Sequence, residues 1–235
     1  MLHSTMKKKG TLYKRYLGDR DGKEGNVHEE DEITSAVLGP LDFLADEDVF
    51  LFWTKLLGSE GHSDFFPTTP PRSIEMKMWN RRTALDGGSV EPDVVVEMAW
   101  PDDRRTLLIE MKWRAGLSGD DQLQRQWNFY LEHQEREKGL HLLIAPDVAA
   151  GVEAKNDDDV WHGKLVLIQW LKIRSVLGGL KNSKTAIGRW AMHADFFLER
   201  LHVLRFGGFG ELQMDKPLPA VLPSTLFWDS GSTAN

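Results

Sequence analysis

Residues Pro92–Trp113 read PDVVVEMAWPDDRRTLLIEMKW, and this stretch decides the fold. PDVVVEMAW and RTLLIEMKW are rich in β-branched and aromatic residues and flank the turn PDDR, which is the pattern of a β-hairpin. Side chains alternate across a strand, so Val94, Val96, Met98 and Trp100 share one face with Leu107, Ile109, Met111 and Trp113. The opposite face carries Asp93, Val95, Glu97 and Ala99, with Leu108, Glu110 and Lys112. A turn centred on Asp102-Asp103 pairs Pro101 with Arg104 and Val96 with Ile109, apolar face to apolar face. In that register Asp93 faces Lys112, Val95 faces Glu110, and the Asp93 and Glu110 Cβ atoms are diagonal neighbours about 7 Å apart. Lys112 stands two residues beyond Glu110 on the same face, roughly 6.6 Å along the strand. Glu97 has no assigned role.

The rest of the chain supplies the elements that cover such a sheet. Residues 1–27 are polar, Gly-rich and charged and read as a loose arm; 28–206 read as one domain and 207–235 as an irregular tail. EEDEITSAVL reads as a helix with Ile33, Val37 and Leu41 on one stripe, stopped by Gly39-Pro40. A second apolar helix is expected over Glu47–Leu57. SIEMKMW (Ser73–Trp79) alternates as a strand. SGDDQLQRQWNFYLEHQEREKG reads as one helix, with Ser118 as N-cap and Asp121 at the third position. LHLLIAP and KLVLIQW read as buried strands separated by an acidic loop at Asn156–Asp159, and a last helix spans about Thr185–Arg205. The order describes a mixed α/β domain.

Composition narrows the function. The 235 residues are 41% hydrophobic and 28% charged, as in ordinary globular proteins, with no apolar run of 18 residues to cross a membrane. The basic N-terminus lacks the apolar segment of a signal peptide. Zero cysteines exclude thiolate metal sites and disulfides, which fits a cytoplasmic protein. Eight dispersed histidines form no HxH or HxxxH pair, arguing against a histidine-bound zinc. A net charge of −7 argues against a broad, non-specific grip on nucleic acid. Such binding has to rest on Arg81, Arg82, Arg104, Arg105, Arg114 and Arg125, or on a partner protein or homo-oligomer. The nine tryptophans fall on apolar stripes and read as core; parity puts Trp113 on the apolar face.

Three charges on one sheet face are costly when buried and idle but coherent as a metal site. Two carboxylates at that spacing suit one hard cation with Mg²⁺–O distances of about 2.1 Å. Such an ion polarises a phosphoryl oxygen and acidifies bound water, and the Lys112 ammonium beside it orients that water. The alternative is an exposed polar face with solvated charges.

Pro92-Asp93 and Glu110-Met111-Lys112, on adjacent strands in an α-β-β-β-α-β order, resemble the PD-(D/E)xK nuclease superfamily over roughly Glu30–Trp170. The resemblance implies a restriction-endonuclease-like three-layer core, a mixed β-sheet flanked by helices, and a Mg²⁺- or Mn²⁺-dependent hydrolysis of phosphodiester bonds, in DNA first. It implies metal ligands at Asp93, Glu110, the Met111 carbonyl and an acid of the first helix. Glu29, Glu30 and Asp31 are the candidates for that acid, with Glu30 preferred because it extends the Ile33–Val37 stripe. QRQWNFY looks like the QxxxY motif of RecB-type nucleases, which implies a site role for Gln126, with Gln122 on the same face as the alternative. Arg81, Arg82, Arg114, Arg125 and Tyr130 are the implied nucleic-acid contacts. Restriction, antiviral defence or repair in a bacterium or phage is the implied setting. The rival expectation is an inactive copy of the fold that serves as a DNA-binding or protein-interaction subunit.

Overall fold

The computed structural model describes residues 29–83, 88–113, 116–117, 119, 121–157 and 159–204; the arm, the tail, Arg114 and Ser118 lie outside them. Strands β1 (Ser73–Met78), β4 (Val94–Ala99) and β5 (Arg104–Met111) form an antiparallel meander. Strands β6 (Gly139–Ala145) and β7 (Leu165–Gln169) then extend the sheet in parallel from β5, giving the order β1-β4-β5-β6-β7. A two-residue ribbon, β2 (Arg82–Thr83) with β3 (Ser89–Val90), stands apart from it. The chain is therefore α/β, with a mixed five-stranded sheet flanked by helices.

The expected hairpin forms, two residues out of the expected register. Val96 faces Leu107 instead of Ile109, and the turn is closed by Trp100 N–H donating to the Asp103 carbonyl at 2.7 Å. Pro101 decides the outcome. A proline facing Arg104 would leave the ladder without a donor, whereas the second position of a turn suits its fixed φ. A shift of two residues keeps every side chain on its expected face. It also carries Asp93 from a diagonal position to one directly across from Glu110.

Both faces of the sheet are covered. Val94, Val96, Met98, Leu107, Ile109, Met111 and Trp113 join a core built with α1 (Glu29–Val37), α2 (Asp46–Gly58), α6 (Trp170–Leu180) and α7 (Ala186–Arg200). Val95, Leu108 and Leu143 join a second core under α3 (Gln122–Tyr130) and α5 (Ala149–Asp157). Trp190 Nε1 donates to the Val37 carbonyl at 2.9 Å and ties α7 to α1.

Four expectations are corrected. The single helix after β5 starts at Gln122 with Asp121 as its cap residue, whose side chain makes no capping hydrogen bond. It breaks at Leu131, and a second helix, α4 (His133–Glu137), begins with a capping box between Glu132 and Glu135. The segment before β7 is helical through Asp157, forming α5 where a loop is expected. Trp170 opens α6 instead of ending a strand. The last helix ends at Arg200. Glu97 finds a partner in Lys77, 2.9 Å away on β1. Among the described residues no helix is long and apolar enough to cross a membrane.

Candidate metal centre

Three elements bring the site together at the end of the central strand β5. β4 begins just after Asp93, β5 delivers Glu110 and Met111, and Lys112 follows directly. Asp93, Glu110 and Lys112 are 7%, 2% and 8% exposed, so these are buried charges, which excludes a solvated polar face. Ile33 and Val37 anchor α1 in the first core, and that anchoring holds Glu30 of its first turn at the site. Glu30, Asp93 and Glu110 each offer a carboxylate oxygen within 4.8 Å of the others, and Glu30 is the acid of α1 in this group.

The contacts knit the carboxylates together. Lys112 Nζ stands 2.7 Å from Glu30 Oε1 and 2.7 Å from Glu110 Oε1. The Trp113 amide donates to Glu30 Oε2 at 3.1 Å, and the Met111 amide donates to Asp93 Oδ2 at 2.6 Å. From α3, Gln122 Nε2 donates to Glu110 Oε1 and Gln126 Nε2 to Glu110 Oε2, each at 2.6 Å. Both glutamines therefore reach the site, and Gln126 is the buried one at 2% exposed. Trp170 Nε1 donates to the Lys112 carbonyl at 2.8 Å and pins the strand end to α6.

Three carboxylates against one ammonium leave an excess of negative charge. Burial, and then the neighbouring Glu110 carboxylate, push Asp93 up to about 8. Burial also raises Glu110, against the opposing pull of Lys112 and Gln126. For Lys112, burial alone would lower the ammonium, but the Glu110 and Glu30 carboxylates outweigh it and hold it above the usual lysine range. A divalent cation would relieve the same imbalance. The donor set is all oxygen, which suits a hard ion such as Mg²⁺, Mn²⁺ or Ca²⁺ over zinc or copper.

The basic residues divide differently from expectation. Arg81 is exposed and paired to Glu91 at 2.8 Å. Arg82 is committed to structure: Nη1 donates to the Tyr130 carbonyl at 2.7 Å, with Glu135 at 3.3 Å. Its guanidinium also lies 4.3 Å from the centre of the Tyr130 ring. Tyr130 is 1% exposed, so it is a core residue and not a surface contact for nucleic acid; its aromatic ring fills space under the sheet. Arg125 lies over the Phe129 ring at 5.9 Å. Arg104 and Arg105 begin β5, six and five residues before Glu110, and so stand roughly 16–20 Å away along the strand.

Sequence reasoning missed His141 and Trp161, both buried behind Gln126. A lone histidine in an apolar strand gives no motif by which to find it. No protein-family model, curated protein or solved structure matches the chain.

Proposed function

We propose that the chain is a Mg²⁺- or Mn²⁺-dependent nuclease of the PD-(D/E)xK, restriction-endonuclease-like kind, hydrolysing phosphodiester bonds in DNA. The observation that carries this reading is the convergence of Glu30, Asp93 and Glu110 oxygens within 4.8 Å, with Lys112 Nζ 2.7 Å from two of them. The order of helix, three meander strands, helix and parallel strand supports the same assignment.

Asp93, Glu110 and Glu30, with the Met111 carbonyl, would hold the ion, which supplies charge neutralisation at the phosphate and an acidified water. Lys112 orients the attacking water and offsets charge that develops on the phosphate oxygens. Gln126 keeps Glu110 aimed. Arg81, Arg114 and Arg125 are the proposed phosphate contacts, since Arg82 is held by Tyr130 and Glu135.

One observation favours a second reading, an inactive module of the same fold. Every oxygen of Glu30 and Glu110 already accepts a hydrogen bond from within the chain. The decisive experiment titrates the full chain with Mn²⁺ by calorimetry and incubates it with plasmid DNA and Mg²⁺, alongside Lys112→Ala. The expected result is Mn²⁺ binding, and cleavage that Lys112→Ala reduces at least a hundredfold. Equal cleavage by a folded Lys112→Ala variant would remove the catalytic assignment. Absence of both binding and cleavage in the parent would support the module.

A further inference from the structure

His141 and Trp161 continue inward from Gln126 as a single line of hydrogen bonds. Trp161 Nε1 donates to His141 Nδ1 at 3.0 Å, and His141 Nε2 lies 3.1 Å from Gln126 Oε1. Gln126 Nε2 then donates to Glu110 Oε2 at 2.6 Å. The two middle groups can each present a donor or an acceptor, but the two ends cannot. An indole N–H only donates, and a carboxylate only accepts. The direction of the whole line follows. His141 accepts at Nδ1 and so carries its proton on Nε2, which donates to the Gln126 carbonyl. That leaves the amide –NH₂ end of Gln126 facing Glu110.

His141 sits on β6 between Leu108 and Leu165, on the same sheet face as Leu143 and Ala145. Its ring stacks on Trp127 with 6.1 Å between centroids and 7° between planes, and it is 0% exposed. The ring is therefore held between its two hydrogen bonds and the Trp127 face, away from bulk solvent. Without His141 a flipped Gln126 would set its carbonyl against the Glu110 carboxylate.

We propose that His141, held by Trp161, is a positioning residue that fixes the Gln126 carboxamide and through it aims Glu110 in the metal site. This rests on the proposed metal centre for its consequence but not for its geometry. Groups hydrogen-bonded to a metal ligand alter affinity by about 10–100-fold when removed, and His141 acts through one such group, Gln126.

The test compares the full-length parent with His141→Phe, which keeps the aromatic volume, and His141→Gln, whose amide nitrogen can replace the Nε2 donor. Two quantities are read: Mn²⁺ affinity by calorimetry, and the side-chain amide resonances of Gln126 by NMR. The expected result is a fall in affinity of about tenfold for His141→Phe, with the Gln126 amide shift lost, and recovery to within about threefold for His141→Gln. Unchanged affinity and an unchanged Gln126 amide in His141→Phe would overturn the proposal. In the parent itself, nitrogen shifts reporting a proton on Nδ1 would overturn it too, whatever the variants do. If the parent binds no Mn²⁺, the metal centre fails, and the Gln126 amide alone decides for or against the positioning role.

Discussion

Glu110 accepts one glutamine on each oxygen, Gln122 on Oε1 and Gln126 on Oε2, while Lys112 shares Oε1. The two glutamines are unequal in consequence. Removing Gln126 leaves both Glu110 Oε2 and the His141 Nε2 proton without their partner at a buried position. Removing Gln122 leaves Glu110 Oε1 still held by Lys112, and Gln122 is only half-buried. Leaving a buried polar group unsatisfied costs about 1–3 kcal/mol. Gln126→Ala should therefore lose about that much in urea denaturation, and Gln122→Ala clearly less. Equal losses would mean that the line through His141 adds nothing to Gln126. Sequence spacing places both glutamines on one helix face and cannot rank them, because the ranking comes from what lies behind each.

Element by element, the sequence was legible where period alone decides. Alternation assigned the faces of β4 and β5, and both cores follow that assignment. It could not settle register, since a shift of two residues leaves the hydrophobic pattern intact and only Pro101 discriminates. α5 was illegible because AAGVEAKND buries only Gly151 and Ala154, too little for an apolar stripe. α6 was hidden by the apolar run that continues from β7 through Trp170. The start of α7 carries a constraint that propensity misjudges. Glycine within a helix ordinarily costs about 1 kcal/mol relative to alanine. At Gly188, however, an added Cβ would lie 1.9 Å from the Ser183 carbonyl oxygen, which belongs to the backbone and cannot swing aside. Gly188→Ala should thus destabilise the protein by about 1–3 kcal/mol where the helix scale predicts a gain. A raised melting temperature would show that the Ser183 turn gives way freely.

For the whole molecule, buried His141 on one side and buried Asp93 and Glu110 on the other set opposing slopes of stability against pH. Burial lowers His141 to about 3, below its unfolded value, so the unfolded chain binds the extra proton between about pH 3 and 6.5. Over that window stability falls as the solution becomes more acid, by up to about 1.4 kcal/mol per pH unit. Asp93 has the opposite sign. Its folded value is raised to about 8, so above its unfolded value near 4 the folded chain holds a proton that the unfolded chain has lost. Stability therefore falls as pH rises from about 4 to 8. Glu110, also raised by burial, adds to the Asp93 slope above its unfolded value, so the His141 slope offsets the two carboxylates only in part up to about pH 6.5, and above that the carboxylate slope stands alone. In the presence of EDTA the melting temperature should decline more steeply from about pH 6.5 to 8 than it does below about pH 6.5. Asp93→Asn, which cannot ionise, should abolish much of that decline and be more stable than the parent at pH 8. Mn²⁺ should act on the parent in the same direction, because a bound cation favours the ionised carboxylate, and should do nothing for Asp93→Asn. The difference separates a site strained by its own charge from a set of carboxylates content without an ion. A parent whose melting temperature in EDTA is unchanged from pH 6.5 to 8 would place the Asp93 proton elsewhere and remove the electrostatic argument for a metal.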